Sequence, residues 1–111
     1  MKVNLSKICY GRSGDKGRNS NIGLIFINNC VYNWALTNIT EELVKEYMSS
    51  IVKGNVVRFQ LDNLMSLNFI LHDSLGGGGS DSLINDAQGK THAQTLLTMK
   101  IEIPDNLLKE I

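Results

Sequence analysis

The sequence has 111 residues, of which 42% are hydrophobic, and its eleven basic and eleven acidic side chains give a formal net charge of zero. This length allows one hydrophobic core and predicts a single domain over residues 1–111, while the balanced charge argues against nucleic-acid binding, which normally requires a basic excess. Because the sequence has neither the ~18-residue apolar run of a membrane helix nor a secretory apolar region at its start, we expect a cytoplasmic protein that contacts no membrane.

Two strands are predicted near the start of the chain. Apolar residues alternate over residues 3–12, which indicates a strand, and a continuous apolar run over residues 21–27 indicates a second, buried strand. The polar segment between them, residues 13–20, is longer than a tight hairpin requires, so we expect a loop there.

A helix is predicted after Thr40. Thr40 is a favourable N-cap, and the carboxylates of Glu41 and Glu42 suit the positive end of a helix dipole. Apolar side chains then recur on one helical face as far as Ile51, and Gly54 supplies a stop signal.

The second half of the sequence is harder to assign. Residues 56–61 predict a strand, whereas residues 64–75 fit one face of a helix or a buried strand, and the helix is favoured. Residues 86–90 have the chemistry of a hairpin turn, and alternation over residues 90–103 predicts a long strand that ends at Pro104. Together these elements predict an α+β fold, in which two helices pack on a mostly antiparallel sheet.

The cysteines and histidines are isolated from one another. Cys9 and Cys30 are predicted to be small buried hydrophobic residues, because neither belongs to a Cys-x-x-Cys pair. His72 and His92 are far apart, and His92 falls on the outward side of its predicted strand. No spacing brings three or four ligands together, so no metal is expected.

Residues 11–23 form the first candidate functional motif. The segment combines glycines, cations, a carboxylate and amides between two predicted strands. Backbone N–H groups beside Arg12 and Lys16 suit a phosphate or a carboxylate, although the glycine spacing is not that of a P-loop. The alternative is a turn-rich connection with a local ion pair made by Asp15.

Residues 67–80 form the second motif. Asn68 lies within an apolar run, and a buried amide must find partners, so it either anchors backbone in the core or faces a ligand. The four glycines at residues 76–79 predict a mobile lid, a backbone anion cradle or a floppy loop.

Several separated segments of this sequence resemble the AtuA-like domain. That domain occurs at the C-terminus of acyclic terpene utilisation proteins and as a free-standing small protein. The segments that carry the resemblance are Arg12–Gly17, Asn21–Gly23, Leu67–Phe69, Leu75–Gly78 and Asp86–Lys90. The resemblance implies a ferredoxin-like two-layer fold, a setting in the breakdown of branched or unsaturated acyl-CoA compounds, and a larger AtuA-type subunit as the partner.

The two motifs and the resemblance together define a candidate site. Its candidate catalytic residues are Asp15, which would orient a cation or shuttle a proton, and Asn68, which would donate to a carbonyl oxygen. The candidate ligand-binding residues are Arg12, Ser13, Lys16, Gly17, Asn21, Gly76, Gly77, Gly78 and Lys90. The site requires the two motifs to meet in one polar pocket. No cofactor is expected, and a coenzyme A thioester would be a substrate.

These features favour an accessory subunit of an AtuA-type enzyme with hydratase- or lyase-like chemistry. The alternative is a non-catalytic oligomerisation or regulatory module, and a homo-oligomer is expected in either case. An independent enzyme is less favoured, because the sequence offers neither a Ser/His/Asp set nor a metal cluster.

Overall fold

The chain combines strands and helices in the computed structural model, which describes residues 1–16, 19–49, 52–72 and 92–108. The strands are β1 (Lys2–Asn4), β2 (Cys9–Lys16), β3 (Asn19–Phe26), β4 (Val56–Leu61), β5 (Ser66–Leu71) and β6 (Lys100–Glu102). The helices are α1 (Asn29–Asn38), α2 (Glu41–Tyr47), α3 (residues 92–97) and α4 (Asp105–Leu108), and short 3₁₀ turns cover Leu5–Lys7 and Asp62–Leu64.

The strands form two sheets. The main sheet has the order β2-β3-β5-β4, and all of its neighbours are antiparallel. β1 and β6 pair separately, also antiparallel. The predicted α+β class and ferredoxin-like fold with a mostly antiparallel sheet are therefore confirmed.

The two faces of the main sheet differ sharply. The inner face carries buried apolar side chains, among them Ile22, Leu24, Phe26, Leu67, Phe69 and Leu71. Helices α1, α2 and α3 cover this face with Val31, Ala35, Val44, Ala93 and Leu96, which belong to the same core. Since side chains alternate along a strand, the intervening residues of the four strands define the opposite surface, the outer face.

Helix α2 follows its local sequence signals. The Thr40 hydroxyl oxygen accepts a hydrogen bond from the Leu43 backbone N–H at 3.2 Å, as predicted for an N-cap. The helix ends at Tyr47 and therefore earlier than expected. Gly54 has a different role: its N–H donates to the carbonyl oxygen of His72 at 3.0 Å, beside the β4–β5 pair.

Helix α1 has no counterpart among the predicted elements. Asn28 caps its N-terminus by accepting from the Val31 N–H at 2.8 Å. At the other end, Nη1 of Arg58 on β4 donates to the carbonyl oxygens of Leu36 and Ile39, each at 2.9 Å. Because the C-terminal carbonyls of α1 are satisfied from a distant strand, local sequence signals mark this helix poorly.

The prediction of a loop at residues 13–20 is wrong. The ladder between β2 and β3 continues through the polar motif, where Asp15 pairs with Ser20 and Lys16 with Asn19. Two residues separate Lys16 from Asn19. The backbone ladder does not require apolar side chains, so a polar segment can form a hairpin as readily as a loop.

The prediction of a helix at residues 64–75 is also wrong. Residues 66–71 form β5, a central strand between β3 and β4. Leu67, Phe69 and Leu71 are buried on the inner face, which is a period of two. The strand follows Met65, which adopts left-handed backbone angles with φ of 49° and turns the chain out of the preceding 3₁₀ turn.

The long strand predicted over residues 90–103 is wrong, because residues 92–97 are helical and only Lys100–Glu102 form a strand. Ala93, Leu96 and Leu97 have i, i+3 and i+4 spacing, so the same segment fits a helical face as well as an alternating one. The turn predicted at residues 86–90 lies outside the described residues.

The two cysteines differ in burial. Cys9 is buried as predicted, its thiol contacts the Leu5 carbonyl oxygen at 3.4 Å, and burial raises its pKa to about 12. Cys30 is exposed, so the prediction for it is wrong.

Candidate functional site

Three predicted site residues, Arg12, Asn21 and Asn68, lie together on the outer face. In the strand register, Gly23 of β3 pairs with Arg12 of β2 on one side and with Asn68 of β5 on the other. Asn21 lies two residues before Gly23 on the same strand and face. Since neighbouring strands are about 4.8 Å apart, Arg12 and Asn68 flank Gly23 across roughly 10 Å. We call Arg12, Asn21, Gly23 and Asn68 the polar cluster.

Glycine leaves a shallow depression at the centre of this cluster. A Cβ atom added to Gly23 would lie 3.8 Å from Oδ1 of Asn68 and 4.0 Å from the Arg12 carbonyl oxygen. The space is large enough for a methyl group, which glycine does not supply. Arg12 is exposed, and both asparagines are half-buried. A guanidinium and two amides beside an accessible depression can donate hydrogen bonds to a carboxylate, a phosphate or a carbonyl oxygen.

Apolar side chains flank the polar cluster. Tyr10, Ile25, Phe59 and Leu61 on the outer face are exposed by 70%, 40%, 50% and 43%, respectively. Phe59 pairs with Asn68, while Tyr10 pairs with Ile25 in the next row towards the start of β2. We call these four residues the apolar strip. Single exposed apolar residues are ordinary, but several on one uncovered sheet face are typical of an interaction surface.

Several other predicted site residues lie elsewhere or outside the described side chains. Ser13 pairs with Ile22 and therefore falls on the inner face, opposite to Arg12. The backbones of Asp15 and Lys16 lie at the end of the β2–β3 hairpin, but their side chains are not described. The remaining predicted residues outside the described part of the chain are Gly17, Gly76, Gly77, Gly78 and Lys90.

The described segments on either side of residues 73–91 meet at Ser20. Leu71, at the end of β5, is the register partner of Ser20, and His92 is hydrogen-bonded to Ser20 at 2.8 Å between Oγ and Nδ1. The segments before and after residues 73–91 therefore meet at the same end of the sheet as the first motif. The four glycines at residues 76–79 lie outside the described residues.

The Ser20–His92 pair has no local signal in the sequence. Both residues are buried on the inner face, and burial lowers the pKa of His92. The prediction that His92 faces outward is wrong, because the residue is buried on a helix and does not lie on a strand. The pair ties α3 to β3. Its partners are 72 residues apart in the sequence, so no local pattern could have found it.

A separate cleft lies on the helical side of the molecule. It has a volume of about 540 Å³ and lies between α2 and the start of β6, and it is lined by Leu43, Glu46, Tyr47, Thr98, Met99 and Lys100. It contains none of the predicted site residues. Within the described ranges, no three His, Cys, Asp or Glu side chains group as a metal site, and no helix is long and apolar enough to cross a membrane.

Comparison with known proteins gives one match. The family model described as the AtuA ferredoxin-like domain matches residues 3–102, from β1 to the end of β6. This match confirms the resemblance identified from the sequence motifs. Neither the curated proteins nor the solved structures gave a match.

Proposed function

The chain belongs to the AtuA ferredoxin-like domain family, and we propose on that basis that it is an accessory subunit of a larger AtuA-type protein. In this proposal the larger subunit acts on branched or unsaturated acyl-CoA compounds with hydratase- or lyase-like chemistry. The present chain completes an anion-binding site and requires no cofactor of its own.

The polar cluster carries this proposal. Arg12 has no carboxylate partner among the described residues, so its guanidinium is available to an external anion. On the other side of β3, the Asn68 amide would donate to a thioester carbonyl oxygen as that oxygen gains charge. Arg12 and Asn68 come from distant parts of the sequence and are brought together on either side of β3.

The openness of the cluster favours an accessory role over an independent enzyme. The cluster is a shallow depression on a sheet face that none of the described helices covers, where water screens a guanidinium strongly. Hydrogen-bond donors stabilise a developing charge well only in a site from which water is excluded. A second, larger subunit that covers this face would supply that exclusion.

Turnover of the reconstituted complex tests the proposal. We expect Arg12→Gln and Asn68→Ala to lower kcat/KM of the two-subunit complex by about a hundredfold to a thousandfold, the range for loss of one positioned donor. Asp15→Ala is expected to lower kcat if this carboxylate shuttles a proton. Lys45→Gln on α2 changes an exposed cation on the helical side and serves as the control. Unchanged turnover in all three variants would refute these roles.

A further inference from the structure

We infer that the outer face docks this chain on the larger AtuA-type subunit, against a partner surface that is apolar and presents a carboxylate to Arg12 until the anionic group of the substrate displaces it. This inference rests on the proposed function, because it names the surface and the chemistry by which that partner is bound.

The first observation is the uneven covering of the sheet. Three helices pack on the inner face, while the outer face of the same four strands carries the exposed apolar strip. An antiparallel sheet with one solvated face normally places polar side chains on that face. Tyr10 and Phe59, on the two edge strands, depart from this pattern most clearly. Large aromatic side chains of this kind are the usual anchors of protein interfaces.

The second observation is the glycine at the centre of the face. Gly11, on the inner face, is explained by packing within the chain, since its Cβ would lie 3.1 Å from a Leu97 methyl carbon. Gly23 has no such explanation, because its Cβ would meet only ordinary contacts at 3.8 and 4.0 Å. A glycine inside a central strand weakens the strand and often marks the close approach of another chain. The depression at Gly23 therefore suits a side chain of the partner.

The third observation is charge. Arg12 is the only charged side chain described on the outer face. Burying a guanidinium without a carboxylate is strongly unfavourable. A second copy of this chain, docked face to face, would offer Arg12 no carboxylate from the described residues of that face. Charge complementarity thus favours a different protein with an acidic group at this position.

Affinity for the purified larger AtuA-type subunit tests the inference. By isothermal titration calorimetry, we expect Phe59→Ala, Gly23→Ala and Arg12→Gln each to weaken binding by about tenfold or more, as for residues at the centre of an interface. Arg12→Glu should weaken it further, because it places two like charges together. Tyr47→Ala truncates a similarly exposed aromatic residue on α2, and this control should bind as the unmodified chain does. Circular dichroism of each variant establishes that it is folded.

The outcomes separate the two proposals. If the unmodified chain does not bind the larger subunit, the proposed function fails, and the docking inference fails with it. If the unmodified chain binds and the outer-face variants bind equally well, the inference is overturned while the accessory role stands. If the chain alone is a dimer that Phe59→Ala converts to a monomer, the face pairs with a second copy, and the inference is also overturned.

Discussion

At the residue scale, His92 illustrates how folding changes the chemistry of a side chain. Its Nδ1 is 2.8 Å from the Ser20 hydroxyl, and both side chains are buried between α3 and β3. Burial disfavours the imidazolium form, so the pKa of His92 in the folded protein lies below its ordinary value. The unfolded chain therefore takes up this proton at a higher pH than the folded chain does.

This difference predicts a loss of stability in mild acid. Above about pH 6.5, the ordinary pKa of histidine, both states are neutral at this site and its full contribution is present. As the pH falls below that value, the unfolded state binds the proton first and the free energy of unfolding decreases. Urea unfolding at pH 7.5 and 5.5 should show a larger decrease for the unmodified chain than for His92→Asn, which keeps a polar atom near Nδ1. Equal decreases would contradict the account.

The polar residues of the outer face carry a clearer sequence signal than this buried pair. Arg12, Asn21 and Asn68 lie in motifs of unusual composition, so the sequence predicts them as site residues. Ser20 and His92 carry no comparable signal. Their proximity depends on α3, whereas the alternating pattern of residues 90–103 predicts a strand there.

At the element scale, prediction succeeded where signals are local and failed where they are tertiary. Helix α2 has its cap, its acidic first turn and its buried face within a few residues. Helix α1 depends on Arg58 from β4 for its C-terminal carbonyls. Residues 66–71 fit both a strand and a helix, and pairing with β3 and β4 on both sides determines that they form a strand.

Two glycines in different elements should respond oppositely to the same substitution. A Cβ on Gly54 would lie 2.9 Å from the His72 carbonyl oxygen, which accepts the Gly54 N–H, so Gly54→Ala must displace backbone. We expect it to lower the free energy of unfolding by about 1–3 kcal/mol. Gly23→Ala has room for its methyl group and should be neutral or stabilise the strand by up to about 1 kcal/mol. Urea unfolding measures both, and equal effects would contradict the close approach at Gly54.

At the scale of the whole molecule, the fold class followed from the sequence but the asymmetry of the sheet did not. Alternating and continuous apolar runs predict a sheet with helices, and the family match confirms a ferredoxin-like domain. The four residues of the apolar strip are distributed over three strands, so they form one surface only after the strands pair. Strand order is a tertiary property, and no single segment of the sequence determines it.

Binding of the larger AtuA-type subunit should cover the outer face, with its polar cluster and apolar strip. Hydroxyl-radical footprinting of the chain, alone and in complex with the larger AtuA-type subunit, tests it most directly by reporting the exposure of individual aromatic side chains. We expect the complex to protect Tyr10 and Phe59 and to leave Tyr47 on α2 as reactive as in the isolated chain. Protection of Tyr47, with Tyr10 and Phe59 unchanged, would place the partner on the helical side and contradict the account.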